Sequence, residues 1–243
     1  MGKIAIVTGA SSGIGERISV TLCNMGFEVY GFGREFQQES VLMKESFSKR
    51  ENGCFHAMVC NLLETEDLLK HIGEIKAKGE VCVLVNNAGV GFYGLHEELN
   101  PKKIQTMLRT NLEVPMILSN VLLRELKKNA GTIINISSIT ASQSNPHGCA
   151  YGASKAGLTS FSHSLFEEAR KYGVRVVNIQ PDMTQTNLYR NADFQEGEEE
   201  QSYLLPEEVA QAVEFALSQR QGLVVTDLSL RPQLHRIQRK KKR

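Results

Sequence analysis

Val7-Thr8-Gly9-Ala10-Ser11-Ser12-Gly13-Ile14-Gly15 is the stretch that decides how this chain folds. It follows a short apolar run at residues 4–7 and opens an amphipathic stretch from about residue 14 to residue 25. Glycines at a strand-to-helix crossing have physical tasks: they permit a tight turn, let backbone approach a pyrophosphate, and allow close packing of helix on sheet. The helix start adds unpaired N–H groups and the positive end of a dipole. The spacing alone arises by chance in about one chain in ten of this length. Its place after the first strand of an alternating chain is what gives it weight.

Working outward, further apolar runs fall at 29–32, 55–60, 81–85, 132–136, 174–179 and 223–230. Helical patterns lie between them near 64–78, 101–128, 151–172 and 206–219, the last opened by Pro206 with Glu207 and Glu208 in its first turn. Runs such as VCVLV at 81–85 are almost continuously apolar, as in strands covered on both faces. The pattern predicts a doubly wound α/β fold of the Rossmann type, with about seven strands in a mainly parallel sheet and helices on both faces. Residues 1–230 are expected to form a single dinucleotide-binding and catalytic domain, followed by a basic tail at 231–243. A polar segment occupies 37–50. Asp193, Glu196, Glu198, Glu199 and Glu200 cluster in what reads as a mobile surface loop before the last helix.

Composition narrows the class. The 243 residues carry 28 basic and 27 acidic side chains. Residues 231–243 hold Arg231, Arg236, Arg239, Lys240, Lys241, Lys242 and Arg243 with no acid, which leaves −6 on the rest of a chain whose total is +1. An acidic body argues against nucleic acid as a partner. The tail itself reads as a solvated, disordered end, in preference to a membrane-surface anchor. No apolar run reaches the roughly 18 residues that span a bilayer, and no signal-peptide pattern opens the chain. The five cysteines are an odd number with no C-x-x-C pair, which fits thiols in a reducing compartment and a cytoplasmic location. The six histidines show no metal-ligand spacing, so no metal is expected.

Two further features carry chemistry. The second strand ends Gly31-Phe32-Gly33-Arg34. A carboxylate at that end binds the ribose 2′-hydroxyl of NAD, whereas arginine accommodates the 2′-phosphate of NADP. Gly33 stands at the carboxylate's place and Arg34 follows, which favours NADP(H) and leaves NAD(H) open, since Glu35 is adjacent. Tyr151 and Lys155, four apart on a helical pattern, share one face. A lysine beside a phenol stabilises the phenolate and lowers its pKa, allowing proton transfer near neutral pH. Ser138, with Ser137 as the competing choice, follows the run at 132–136, where a sheet of this type binds ligands.

With these motifs in hand, the chain resembles the short-chain dehydrogenase/reductase family in its compact single-domain branch. Thr8-Gly9 to Gly15, Asn86-Asn87-Ala88-Gly89, Ser138 with Tyr151-x-x-x-Lys155, and the segment from Asn178 to Thr186 occur in the family's order, and the similarity spans about residues 3 to 220. The resemblance implies that Tyr151 is the general acid for carbonyl reduction, Lys155 binds the nicotinamide ribose, and Ser138 orients the substrate carbonyl. It gives Asn111 a helix kink and a water-mediated proton relay. Gly9, Ser11, Ser12, Gly13, Ile14 and Gly15, with Asn87, Ala88 and Gly89, would line the cofactor. Asn61 and Leu62 would flank the adenine, and Thr184 and Thr186 the diphosphate or carboxamide. Asp182 replaces the glycine that commonly follows the proline here, and Asn61 replaces a usual aspartate.

The expected function is hydride transfer between NADP(H) and a small-molecule carbonyl or alcohol. The resemblance adds a homo-oligomer, dimer or tetramer. The competing reading is a dinucleotide-sensing protein that has lost catalysis. The region 191–203 is expected to include the substrate lid, and His147 and Cys149 are the histidine and cysteine nearest to Tyr151.

Overall fold

The computed structural model describes residues 2–37 and 54–240; the polar segment read at 37–50 lies, from residue 38 onward, outside them. Seven strands form one sheet: β1 (Lys3–Thr8), β2 (Glu28–Gly33), β3 (Phe55–Val59), β4 (Glu80–Asn86), β5 (Thr132–Ile136), β6 (Arg175–Pro181) and β8 (Asp227–Leu230). Their order is β3-β2-β1-β4-β5-β6-β8, and every pairing is parallel. The chain builds outward from β1 to β3, then returns to the far side of β1 with β4. That reversal opens a crevice at the carboxyl ends of β1 and β4, where such sheets take ligands.

Side-chain alternation along the strands makes both faces apolar. Ala5 and Val7 of β1, with Val83 and Val85 of β4, pack under Ile18 and Leu22 of α1 (Gly13–Asn24) and Val209 and Val213 of α6 (Pro206–Ser218). Ile4, Ile6 and Leu84 point the other way. They pack against Ile72 of α2 (Thr65–Lys76), Leu118 and Leu122 of α4 (Val114–Lys128) and Leu165 of α5 (Cys149–Ala169). The predicted doubly wound sheet is therefore present. Among the described residues no helix is long and apolar enough to cross a membrane.

Three readings of the sequence need correction. The pattern at 101–128 is not one helix. α3 (Pro101–Leu108) runs into a π-helical turn, Arg109–Glu113, before α4. The apolar periodicity continues through the turn, so it does not register in the sequence pattern. The last parallel strand is Asp227–Leu230 rather than 223–230, because the chain first turns at Gly222, which has φ +92°, to come off α6. The tail does not trail into solvent over residues 231–240. Its β9 (Ile237–Arg239) pairs antiparallel with β7 (Phe194–Glu196), inside the acidic segment read as a surface loop. Extended backbone on both sides and opposite charges make that pairing possible, and neither segment shows it alone.

Candidate active site

The glycine turn shows why its residue types are needed. Gly9 has φ +67°, a conformation that favours glycine. Gly15 lies one turn into α1, where a Cβ would sit 2.1 Å from the Gly9 carbonyl oxygen, so only glycine lets the helix approach the turn. The end of β4 is tied to the same place. Thr8 Oγ1 accepts from the backbone N–H groups of Asn87 and Ala88, both at 3.0 Å, and Asn87 Nδ2 donates to the Thr8 carbonyl at 2.9 Å. The crevice between β1 and β4 is thus held by hydrogen bonds across the switch point.

One pocket runs along the carboxyl ends of the strands. Gly9, Ser11, Ser12, Gly13 and Ile14 line its floor; Arg34, Asn61 and Leu62 line one end; Asn87, Ala88 and Gly89 line the middle; Ser138, Tyr151 and Lys155 line the other end, under Thr184 and Thr186. All the cofactor residues read from the sequence meet there except Gly15, which supports the floor from behind. Thr186 sits directly over the glycine turn: a Cβ on Gly13 would lie 3.1 Å from its Cγ2. A Cβ on Gly33 would lie 2.9 Å from the Ser11 Cβ, so the position that carries a carboxylate in NAD-type sites has no room for one here. The donors, the glycine cradle and the elongated shape fit a dinucleotide.

At the end away from Arg34, Ser138 Oγ accepts from Thr140 Oγ1 at 3.0 Å and lines the pocket together with the Tyr151 phenol. Ser137 is committed elsewhere, donating to the Lys155 carbonyl at 3.0 Å beneath the pocket. Ser138 is therefore the serine facing Tyr151. Lys155 Nζ donates to the Ile136 carbonyl at 2.7 Å and lies 5.9 Å from the centre of the Tyr151 ring. Burial pushes the Tyr151 phenol up to about 12, opposed by the Ser138 hydroxyl. Burial also pulls the Lys155 ammonium down to about 8. The expected lysine-driven lowering of the tyrosine pKa is absent from the protein by itself, because burial penalises both charges and the lysine's proton points at a carbonyl.

Asn111 lies behind the pocket, fully buried in the π-turn. Its Oδ1 accepts from the Val90 N–H at 2.9 Å, and its Nδ2 donates to the Val90 carbonyl and to Ser154 Oγ, both at 3.0 Å. It locks the loop after β4 to α5 from within the π-turn. Asp182, the departure from the family pattern, accepts from the Met183 N–H at 2.7 Å and faces Arg231 Nε at 3.5 Å. His147 and Cys149 are both exposed, outside the pocket.

Sequence reasoning missed Thr140, Val90, Tyr93, Leu188, Tyr189 and Arg190. Thr140 and Val90 act through the hydrogen bonds above, and Leu188, Tyr189 and Arg190 line the pocket. Tyr93 meets Tyr151 at 5.6 Å between ring centres, tilted by 47°. Nothing local marks them, since each is placed by chain segments far away. Cys60, Asp67 and His71 come within 4.8 Å of one another beside the Asn61 end of the pocket. Burial and the Asp67 carboxylate push the Cys60 thiol up to about 11.

The fold and the site together define an oxidoreductase built on a dinucleotide-binding sheet. The family model for short chain dehydrogenases matches residues 3–197, and the chain belongs to that family, whose members act on small molecules. It is 31% identical over 232 residues to an uncharacterized oxidoreductase of Staphylococcus saprophyticus, covering 95% of this chain and 97% of that one. It is 34% identical over 191 residues to the 3-oxoacyl-[acyl-carrier-protein] reductase of Escherichia coli, covering 78% of this chain and 76% of the relative. Among solved structures, an alcohol dehydrogenase from the archaeon Thermococcus sibiricus, complexed with 5-hydroxy-NADP, superposes with a TM-score of 0.81. It is 26% identical, and the match covers 99% of both chains.

Proposed function

We propose that the protein catalyses hydride transfer between NADP(H) and a carbonyl/alcohol pair, with Tyr151 as the proton donor and acceptor. The observation that carries the reading is the convergence of Ser138, Tyr151 and Lys155 at one end of a pocket whose other parts are the glycine turn and Arg34. Bound there, the nicotinamide supplies or accepts the hydride. Tyr151 is protonated at neutral pH and is ready to give its proton to a carbonyl oxygen. Ser138 holds that oxygen in line, Lys155 grips the ribose, and Asn111 positions α5. Arg34 at the far end and the crowded Gly33 support the 2′-phosphorylated cofactor, as does the NADP derivative in the archaeal structure. In this reading residues 1–230 are the catalytic body of a cytoplasmic homo-oligomer.

The test is turnover of NADPH and NADH against a panel of aldehydes and ketones. The protein is expected to prefer NADPH. Tyr151→Phe is expected to cut kcat by about 10²–10⁴-fold, the contribution of general acid catalysis, with NADPH affinity retained. Equal turnover by wild type and variant would overturn the assignment.

A further inference from the structure

The acidic segment before α6 and the basic segment after β8 form one unit. Beyond the β7–β9 pairing, the Lys240 N–H donates to the Asp193 carbonyl at 2.7 Å, Gly197 N–H to the Arg236 carbonyl at 3.2 Å, and Leu234 N–H to the Gln201 carbonyl at 2.9 Å. Side chains add to this: Lys240 Nζ donates to the Tyr189 carbonyl at 2.5 Å, and Arg236 pairs with Glu199. The strapped segment carries two rings inward. Phe194 meets Tyr93 at 5.1 Å and Tyr189 at 5.5 Å between ring centres, and Tyr93 meets Tyr189 at 6.0 Å. Tyr93 lies 5.6 Å from Tyr151 and Tyr189 lines the pocket, so these two rings form an aromatic wall beside the proposed proton donor, and Phe194 backs both. Burial holds the Tyr93 and Tyr189 phenols well above their usual range, so neither offers a charge.

We propose that residues 236–240 are a strap that fixes this aromatic wall, and that the wall selects compact, uncharged carbonyl compounds bearing an aryl or similarly flat apolar group. The inference rests on Tyr151 being the reactive end of the pocket. Aromatic rings favour edge and offset contacts with other rings. A carboxylate placed among them would lose hydration, and Arg190, which lines the pocket beside Tyr189, is exposed and donates instead to the Asn187 carbonyl at 3.3 Å. Phe194 sits on β7 and the Tyr189 carbonyl is gripped by Lys240, so both rings depend on the strap for position. Tyr189 and Tyr93 are then specificity residues, and Phe194 and Lys240 are positioning residues that act through them.

The test compares benzaldehyde with 4-carboxybenzaldehyde in the full chain, in a chain lacking residues 236–243, and in Phe194→Ala, Phe194→Tyr and Lys240→Ala. The full chain is expected to favour benzaldehyde in kcat/KM by at least about tenfold, the effect of roughly 1.4 kcal/mol. In the truncated chain and in Phe194→Ala that ratio is expected to fall to about threefold or less through KM. Phe194→Tyr retains the preference, and NADPH affinity is unchanged throughout. The point variants decide the matter if the truncated chain does not fold. A preference unchanged in Phe194→Ala and Lys240→Ala overturns the proposal. Should no carbonyl be turned over, the catalytic reading fails separately. Saturation-transfer NMR with benzamide then decides the strap: binding weakened about tenfold in Phe194→Ala supports it, and equal binding overturns it.

Discussion

At the scale of single residues, the site separates two titrations that the sequence pattern would merge. Tyr151 and Lys155 share a helix face, and the simplest reading is that the lysine's charge pulls the phenol toward neutrality. Burial dominates instead, holding the phenol at about 12 and the ammonium at about 8. In the proposed reduction the phenol therefore starts protonated at neutral pH. The lysine is the group whose charge changes in the accessible range. Its native pKa is depressed below the ordinary 10.5, so the native protein binds fewer protons than the unfolded chain between those values. On Lys155's account, stability rises with pH from about 8 toward 10.5. The ammonium's attraction for an anionic cofactor runs in the opposite direction. NADPH affinity, read by fluorescence titration, is expected to fall as pH rises through about 8 and to level off once the amine is neutral. Lys155→Met should flatten that profile. An affinity independent of pH from 7 to 9.5 in the wild type, a window of about one to two units around this pKa, would remove the ammonium from cofactor binding.

At the scale of elements, the strands that carry the site are joined by more than their backbone ladders. Asn86 of β4 faces Asn135 of β5, Asn135 faces Asn178 of β6, and Asn178 faces Asp227 of β8, all at matched register. Asn86 Nδ2 donates to Asn135 Oδ1 at 2.8 Å, Asn135 Nδ2 to Ser162 Oγ of α5 at 2.8 Å, and Asn178 Nδ2 to Asp227 Oδ1 at 2.9 Å. Burial opposes the Asp227 charge, but hydrogen bonds from His163 and Asn178 outweigh it and hold the carboxyl below 3.8. The row fixes register just before the strands open into the pocket, and it ties α5, with Tyr151 and Lys155, to the sheet. Asn135→Leu would leave the Asn86 amide without its acceptor, while the Ser162 hydroxyl would still donate to the Leu158 carbonyl. One unsatisfied buried group costs about 1–3 kcal/mol, which in a chain of this size lowers the melting temperature by roughly 2–12 °C. Calorimetry reads this directly, and an unchanged melt would mean that the row is replaceable packing. The π-turn at Arg109–Glu113 belongs to the same scale. It buries Asn111 between Val90 and Ser154, and its signal is a hydrogen-bond geometry rather than a residue pattern.

At the scale of the whole molecule, the glycine turn, the strand–helix alternation and the Ser138, Tyr151 and Lys155 set were legible because each is local in the chain and carried by residue types with few substitutes. Gly15 is the clearest case, since its missing Cβ is what the Gly9 carbonyl requires. The aromatic wall and the strap were not legible. Tyr93, Tyr189 and Phe194 are ordinary core-type residues until the fold brings them to Tyr151, and the basic segment has the composition of a solvated end. The net charge conceals this arrangement: an acidic body and a basic segment cancel to +1, yet only part of their meeting is electrostatic. Arg236 and Glu199 are exposed by 59% and 53%, and exposed pairs contribute little. The Gly197–Arg236 and Asp193–Lys240 backbone bonds alternate along the β7–β9 pair in a way that makes Gln195 and Gln238 its central hydrogen-bonded pair. If backbone pairing holds the strap, hydrogen exchange at Gly197 and Lys240 is expected to be nearly the same at about 0.1 M and about 1 M salt, although the screening length falls from about 10 Å to about 3 Å. Gln238→Pro, which removes the central donor, should speed exchange at both amides by at least about tenfold at either salt. Exchange that rises with salt in the wild type and ignores the proline would assign the strap to charge attraction instead.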